Sequence, residues 1–246
     1  MTVDILILGA GWTSTFLVSL CKAEGVTYAT TNRSGEGGAI QFNFPDAVDF
    51  SKLPDARTVL VTFPLQKGWA KRLSDGYARK ANWIALGTTS IWNNDGWNDR
   101  HSEHGNTDRS LAEDELDGTV LCLSGLYGGT RDPKNWVVRV APSKEALRAK
   151  ASLHLIHGED VARCILAVHR KPSPGRWLVT DGRVYDWWDL ASAWSPQHAV
   201  WVRELMTEGG YRALPRDGSQ LGRLLDSRGF WTQFELEPIN GRIEAR

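Results

Sequence analysis

The chain opens with Met1 to Thr15, MTVDILILGAGWTST, and this stretch decides the fold. Val3 to Leu8 is a strand-like apolar run that ends in Gly9, Ala10 and Gly11. A helical apolar pattern follows at Phe16, Leu17 and Leu20. A strand, a glycine turn and a helix opening, in that order, form the context that a G-x-G-x-x-G match requires. Gly9 permits a tight turn. Gly11 lets backbone approach a pyrophosphate at the helix N-terminus, where free N–H groups and the helix dipole favour an anion. Ser14 stands where the third glycine would be and is small enough for close helix–strand packing. With Trp12 and Thr13 it forms the first turn that would face a dinucleotide.

Outward from this start, strand and helix alternate. Strands are predicted over 26–31, more weakly over 39–44, and over 58–63, 83–86, 119–124, 154–157 and 177–180. Thr58 to Phe63 (TVLVTF) is apolar throughout, as a central parallel strand should be. Helices are predicted over 13–24, 67–80, 107–116 (capped by Asn106 or Thr107), 144–150, 158–170, 186–193 and 197–207. Residues 88–106 read as a long polar segment, 127–140 as irregular structure and 230–236 as extended. The alternation predicts an α/β fold, a doubly wound parallel sheet of Rossmann type. The expected organisation is one domain over 1–246. Residues 1–125 form the cofactor-binding core, and 126–246 supply the last sheet strands and a small substrate-side lobe.

Composition narrows the function. Lys plus Arg is 29 and Asp plus Glu is 29, giving zero net charge, and no run concentrates one sign. This argues against nucleic acid or a membrane surface as the main partner. No apolar run is long enough to span a bilayer, and a first strand beginning at residue 3 leaves no signal peptide. Cys21, Cys122 and Cys164 lie in apolar segments without metal-ligand spacing and read as buried thiols of a reducing cytoplasm. The expectation is a cytoplasmic protein, a monomer or homodimer, with a small-molecule substrate. Twelve tryptophans are present. Trp92, Trp97 and Trp136 fall in expected loops, where they either line an apolar pocket or pack beneath the loops.

Five segments together resemble the short-chain dehydrogenase/reductase superfamily, in its extended and atypical branch, which includes nucleotide-sugar epimerases. They are ILGAGWTST (7–15), TTNR (30–33), LGTTSIW (86–92), LSGLYGG (123–129) and HLIHGEDVARCILAV (154–168). The resemblance implies a nicotinamide cofactor. An NAD-selective site usually places an acidic residue about 20 residues past the glycines, on the ribose hydroxyls. Here Thr31, Asn32, Arg33 and Ser34 occupy that place, and an arginine fork pairs well with a 2′-phosphate. NADP(H) is therefore expected ahead of NAD(H). Phe63, Pro64, Gly87 and Thr88 complete the candidate cofactor contacts.

The catalytic signature of the family is incomplete. The resemblance implies a Ser or Thr at the end of the strand at 83–88, available as Thr88, Thr89 or Ser90, with Ser90 or Thr89 the best match. It also implies a Tyr-x-x-x-Lys pair on the next helix, but Thr107 and Leu111 stand at those places. The usual proton donor is missing. The segment from Trp92 to Asn106, expected near the nicotinamide, offers His101 and His104 as substitutes. They fit no strong metal pattern, and no metal is expected. Tyr127 and Trp136, with Trp92 and Trp97, are the candidate substrate contacts. These readings predict an NADP(H)-dependent, biosynthetic oxidoreductase of a small, largely apolar molecule. The alternatives are a redox-neutral isomerase or cyclase on the same fold and a nucleotide-sensing regulator.

Overall fold

A computed structural model describes residues 2–46 and 48–243. In chain order the first half runs β1 (Thr2–Leu8), α1 (Trp12–Ala23), β2 (Tyr28–Asn32), β3 (Ile40–Gln41), β4 (Asp55–Val61), α2 (Trp69–Tyr77), β5 (Asn82–Thr88), β6 (Gly96–Asn98), α3 (Asp108–Asp114), β7 (Thr119–Leu123) and β8 (Gly125–Tyr127). The second half runs α4 (Val137–Val140), α5 (Lys144–Arg148), β9 (Ser152–Leu153), β10 (Leu155–His157), α6 (Gly158–Arg170), β11 (Gly175–Val179), β12 (Tyr185–Asp186), α7 (Trp187–Trp194), α8 (Pro196–Gly209), β13 (Arg223–Leu225) and α9 (Arg228–Gln233).

Seven parallel strands form the central sheet in the order β11-β7-β5-β4-β1-β2-β3. The chain winds one way from β1 to β3, then crosses back to β4 and winds the other way. This is the Rossmann arrangement, and its switch point lies between β1 and β4. Alternation along β1 divides the core. Leu6 and Leu8 pack with α2 residues Ala70, Leu73 and Tyr77 on one face. Ile5 and Ile7 pack with Leu17 and Cys21 of α1 and Val161 and Ile165 of α6 on the other. All three cysteines are free and buried.

The helical lobe has an apolar cluster of its own, built from Val137, Leu147, Trp187, Trp188, Ala191, Val202 and Leu205. Asp186 caps α7 through the Trp188 N–H and also meets Arg216, whose Nη2 donates to Oδ1 at 2.6 Å. Both side chains are almost fully enclosed. Arg216 also lies 3.9 Å over the Trp188 ring.

Two sequence expectations are corrected. Residues 230–236 are not extended: α9 covers Arg228–Gln233, placing Phe230, Trp231 and Phe234 together against Trp177. Those aromatics sit at the i, i+1 and i+4 positions of a buried helical face. The 39–44 strand shortens to Ile40–Gln41, because Phe42 and Phe44 turn into the core. The polar 88–106 segment, in turn, holds a strand the sequence did not reveal. β6 pairs in parallel with β13, more than a hundred residues away.

Two stability predictions follow from these contacts. Asp186→Ala leaves Arg216 buried without its carboxylate and should cost about 3–5 kcal/mol in urea unfolding. Burial holds His154 down to about 4 from its ordinary 6.5. The unfolded chain then binds the extra proton between those values, so this group withdraws stability as pH falls from 6.5 towards 4. Asp181, pushed up to about 7 by burial, acts in the opposite sense. The loss of stability from pH 7 to 4.5 should therefore be smaller in His154→Gln than in the parent, as read by urea unfolding at both pH values.

Candidate nucleotide cleft

The switch point opens a cleft beyond the C-terminal ends of β1 and β4, in two connected halves that share Gly11, Thr62 and Pro64. Gly9 forms the turn with φ of +92°, and a Cβ there would lie 2.8 Å from Thr62 Oγ1. Only glycine suits both the conformation and the space. A Cβ on Gly11 would meet nothing within 4 Å, so this residue faces open cleft. Gly11 is also the N-cap of α1 and brings no side-chain cap, which leaves first-turn N–H groups available. Ser14 is buried and turns inward, its hydroxyl donating to Gly11 O at 2.5 Å. It serves the turn rather than the cleft.

One half, about 800 Å³, is lined by Asn32, Arg33, Phe44, Asp46, Phe63, Pro64 and Trp69. Phe44 and Phe63 stack at 5.9 Å, and Trp69 meets both edge-on. Asn32 shapes the turn after β2 by accepting from Gly35 N at 2.5 Å and donating to Glu36 O at 2.9 Å. Arg33 is exposed and pairs with no carboxylate among the described residues. The aromatic walls and the turn suit an adenosine, and the glycine turn with the helix opening suits a pyrophosphate.

The other half, about 810 Å³, takes in Trp12, Thr13, Gly87, Thr88, Ser124, Leu126 and Trp136, with Arg109, Arg131 and Arg139. Thr88 presents its side chain here and also caps the turn at 89–91 through the Ser90 N–H. Of the two catalytic candidates beside it, neither lines this half. Thr89 is buried, its hydroxyl on Leu123 O at 3.4 Å. Ser90 is exposed and accepts from the Thr88 hydroxyl at 3.1 Å.

The helix on which the resemblance would place a Tyr–Lys pair turns a different face to the cleft. Thr107 is the N-cap of α3, locked with Ser110 in a capping box, and Leu111 points outward at 51% exposure. The cleft-facing residue is Arg109. Its Nε donates to Glu113 at 2.8 Å and its Nη2 to Leu86 O at 2.8 Å. Glu113 is buried four residues on and also accepts from Arg176 at 2.7 Å. Sequence spacing alone missed this pair, although Arg109 and Glu113 stand at i and i+4. No Tyr, His, Lys, Cys or carboxylate lines this half of the cleft among the described residues.

The 92–106 segment does not stay at the cleft. Trp92 is fully buried and donates to Ser102 O, so it is core and not a pocket wall. Asn98 ties the segment to β13 by donating to Leu224 O. Arg100 lies 3.4 Å over Trp177, on the sheet's far edge strand. His101 lines a separate cavity with Lys171, Asp226 and Arg228, and His104 packs its ring against Trp92. Trp97 is 66% exposed. Tyr127 donates to Asn240 O at 2.8 Å, away from the cleft, and burial pushes its hydroxyl up to about 12. Trp136 alone of the four substrate candidates lines the cleft. No group of three His, Cys, Asp or Glu among the described residues is placed to hold a metal. No described helix is long and apolar enough to cross a membrane.

Solved structures repeat this architecture almost end to end. A conserved protein of unknown function from Silicibacter pomeroyi has a TM-score of 0.67 at 18% identity, covering 96% of this chain and 93% of its own. The human epimerase family protein SDR39U1, solved with NADPH, has 0.65 at 13% identity, covering 100% and 97%. UDP-N-acetylglucosamine 4-epimerase from Bacillus cereus has 0.64 at 14%, covering 99% and 92%. No protein-family model and no curated protein matches the sequence. These likenesses, with the seven-stranded parallel sheet, show a Rossmann fold.

The two turn glycines should respond differently to substitution. Gly9→Ala places a Cβ at positive φ against Thr62 and should lower stability by at least ~1–2 kcal/mol. Gly11→Val should melt close to the parent temperature yet lose dinucleotide binding. Differential scanning fluorimetry with and without NADPH reads both effects.

Proposed function

We propose that the chain is an NADP(H)-binding oxidoreductase of the extended short-chain dehydrogenase/reductase type, acting on a small molecule. One observation carries this reading. Two adjoining cavities at the sheet's switch point, sharing Gly11, Thr62 and Pro64, extend from Arg33 on one side of the glycine turn to Thr88 on the other. A solved neighbour of the same fold holds NADPH and others hold NAD, in line with a nicotinamide cofactor. Arg33, exposed and without an ion-pair partner among the described residues, favours the 2′-phosphate of NADP(H) over the bare ribose of NAD(H).

The bound cofactor supplies a hydride donor or acceptor. The chain's own residues do the rest. Gly11 and the first turn of α1 receive the pyrophosphate, and Phe44, Phe63 and Trp69 enclose the adenosine. Thr88 offers a hydroxyl at the end of β5, where the resemblance places a Ser or Thr. Arg109, held by Glu113 and Leu86 O, is a fixed cation beside it. A guanidinium does not release a proton near neutral pH, so the proton of a reduction comes from solvent through the open cleft or is not needed. A conjugated alkene or an iminium makes smaller demands on a protein acid than a ketone. The same missing acid favours, as a second reading, a redox-neutral isomerase or a nucleotide-sensing protein on this fold.

Calorimetric titration with NADPH, NADP, NADH and NAD tests the assignment. Arg33→Ala should weaken NADPH by about tenfold or more and leave NADH nearly unchanged. Equal losses for both would remove the 2′-phosphate from the reading, and no binding by the parent to any of the four would remove the cofactor.

A further inference from the structure

The whole chain is electrically neutral, with 29 basic and 29 acidic residues, yet the Thr88 half of the cleft is not. Arg109, Arg131 and Arg139 line it, and among the described residues no carboxylate does. Arg109 is already paired with Glu113. Arg131 and Arg139 have no carboxylate partner among the described residues. Arg131 is held in place instead, its guanidinium 4.3 Å over the Trp12 ring. That ring is itself anchored, since Trp12 Nε1 donates to Gly128 O at 3.2 Å.

A polar group beside the arginines also lacks a partner. Ser124, at the end of β7, is 7% exposed, and its buried hydroxyl makes no hydrogen bond. A buried hydroxyl without a partner is costly, and a ligand oxygen in this cavity would relieve it. The opposite character is present too. Leu126 and Trp136 give an apolar wall, with the Trp136 ring packed against Gly125.

We propose that this half of the cleft binds a small organic oxyanion, a carboxylate or a phosphate ester with an apolar body. Arg131 and Arg139 hold the charged end, Ser124 hydrogen-bonds an oxygen, and Trp136 and Leu126 cover the body. Planar guanidinium forks suit both oxyanions by two-point hydrogen bonding. Cation enrichment in a walled cleft also concentrates anions from solution. The expectation of a largely apolar substrate becomes that of an amphipathic acid. This inference rests on the nucleotide reading in that the cofactor takes the Arg33 end, the Gly11 turn and Thr88, which leaves the oxyanion the part of this half lined by Ser124, Leu126, Arg131, Trp136 and Arg139.

Calorimetry with four probes tests it: phenyl phosphate, benzoate, neutral benzyl alcohol and inorganic phosphate, each titrated into the protein saturated with NADP. One or both aromatic anions should bind about tenfold or more tighter than benzyl alcohol. Preference for phenyl phosphate assigns a phosphate ester, and preference for benzoate a carboxylate. Arg139→Gln and Arg131→Gln should each weaken the anion by about fivefold or more while NADP affinity holds. Arg131→Lys, which keeps the charge and loses the fork, should fall between. Benzyl alcohol binding as tightly as the anions overturns the proposal, as does inorganic phosphate matching the better aromatic anion. Anion binding indifferent to both substitutions also overturns it. Parallel loss of NADP and anion would assign the arginines to the cofactor and overturn it as well. If the parent binds no NADP, the cofactor reading fails alone, and the same titrations on nucleotide-free protein still decide the oxyanion site.

Discussion

The structure turns on the exit from β1. The chain must leave the C-terminal end of a strand buried on both faces and enter a helix that packs on the same sheet. Gly9 makes that turn at positive φ, against Thr62 and Phe63 of the neighbouring strand's exit, where no Cβ fits. Because β2 lies on one side of β1 and β4 on the other, the turn also sits where the winding of the sheet reverses. The crevice opens there because consecutive connections diverge to opposite faces. Every residue given a role in the cleft is placed relative to that one turn.

The second determinant is the ion-pair arrangement behind α3. Glu113 is buried and receives Arg109 from the cleft side and Arg176 from β11. Gly87 makes the approach possible, since a Cβ there would stand 3.0 Å from the Glu113 carboxylate. A buried carboxylate with two guanidinium partners offsets much of its desolvation cost. The result is a fixed cation, not an ionisable acid, beside Thr88. The cleft is thereby suited to holding negative charge and poorly suited to donating protons.

Much of the fold was legible in the sequence, and for local reasons. The glycine turn, the apolar strands and the amphipathic helix at 158–170 each carry their signal within a few residues. Thr107 as a cap and the Asp186 start of α7 were equally readable, because capping is a short-range hydrogen bond. The misread elements depend on distant partners. β6 is three residues long and is a strand only because β13 lies beside it. The 228–233 helix looked extended because its aromatic face is explained only by Trp177.

For the cleft, the sequence by itself determined the sheet and the glycine turn, since these follow from the order of strand, glycine and helix. Only the tertiary structure decided which polar side chains share the cleft. It carries His101 to another cavity, encloses Trp92 and brings Arg131 and Arg139 to Thr88 from a stretch that reads as irregular. The physical reason is reach. Backbone preference and capping act over a turn or less of chain, whereas the charge balance of a cavity sums side chains from segments that are neighbours only in space.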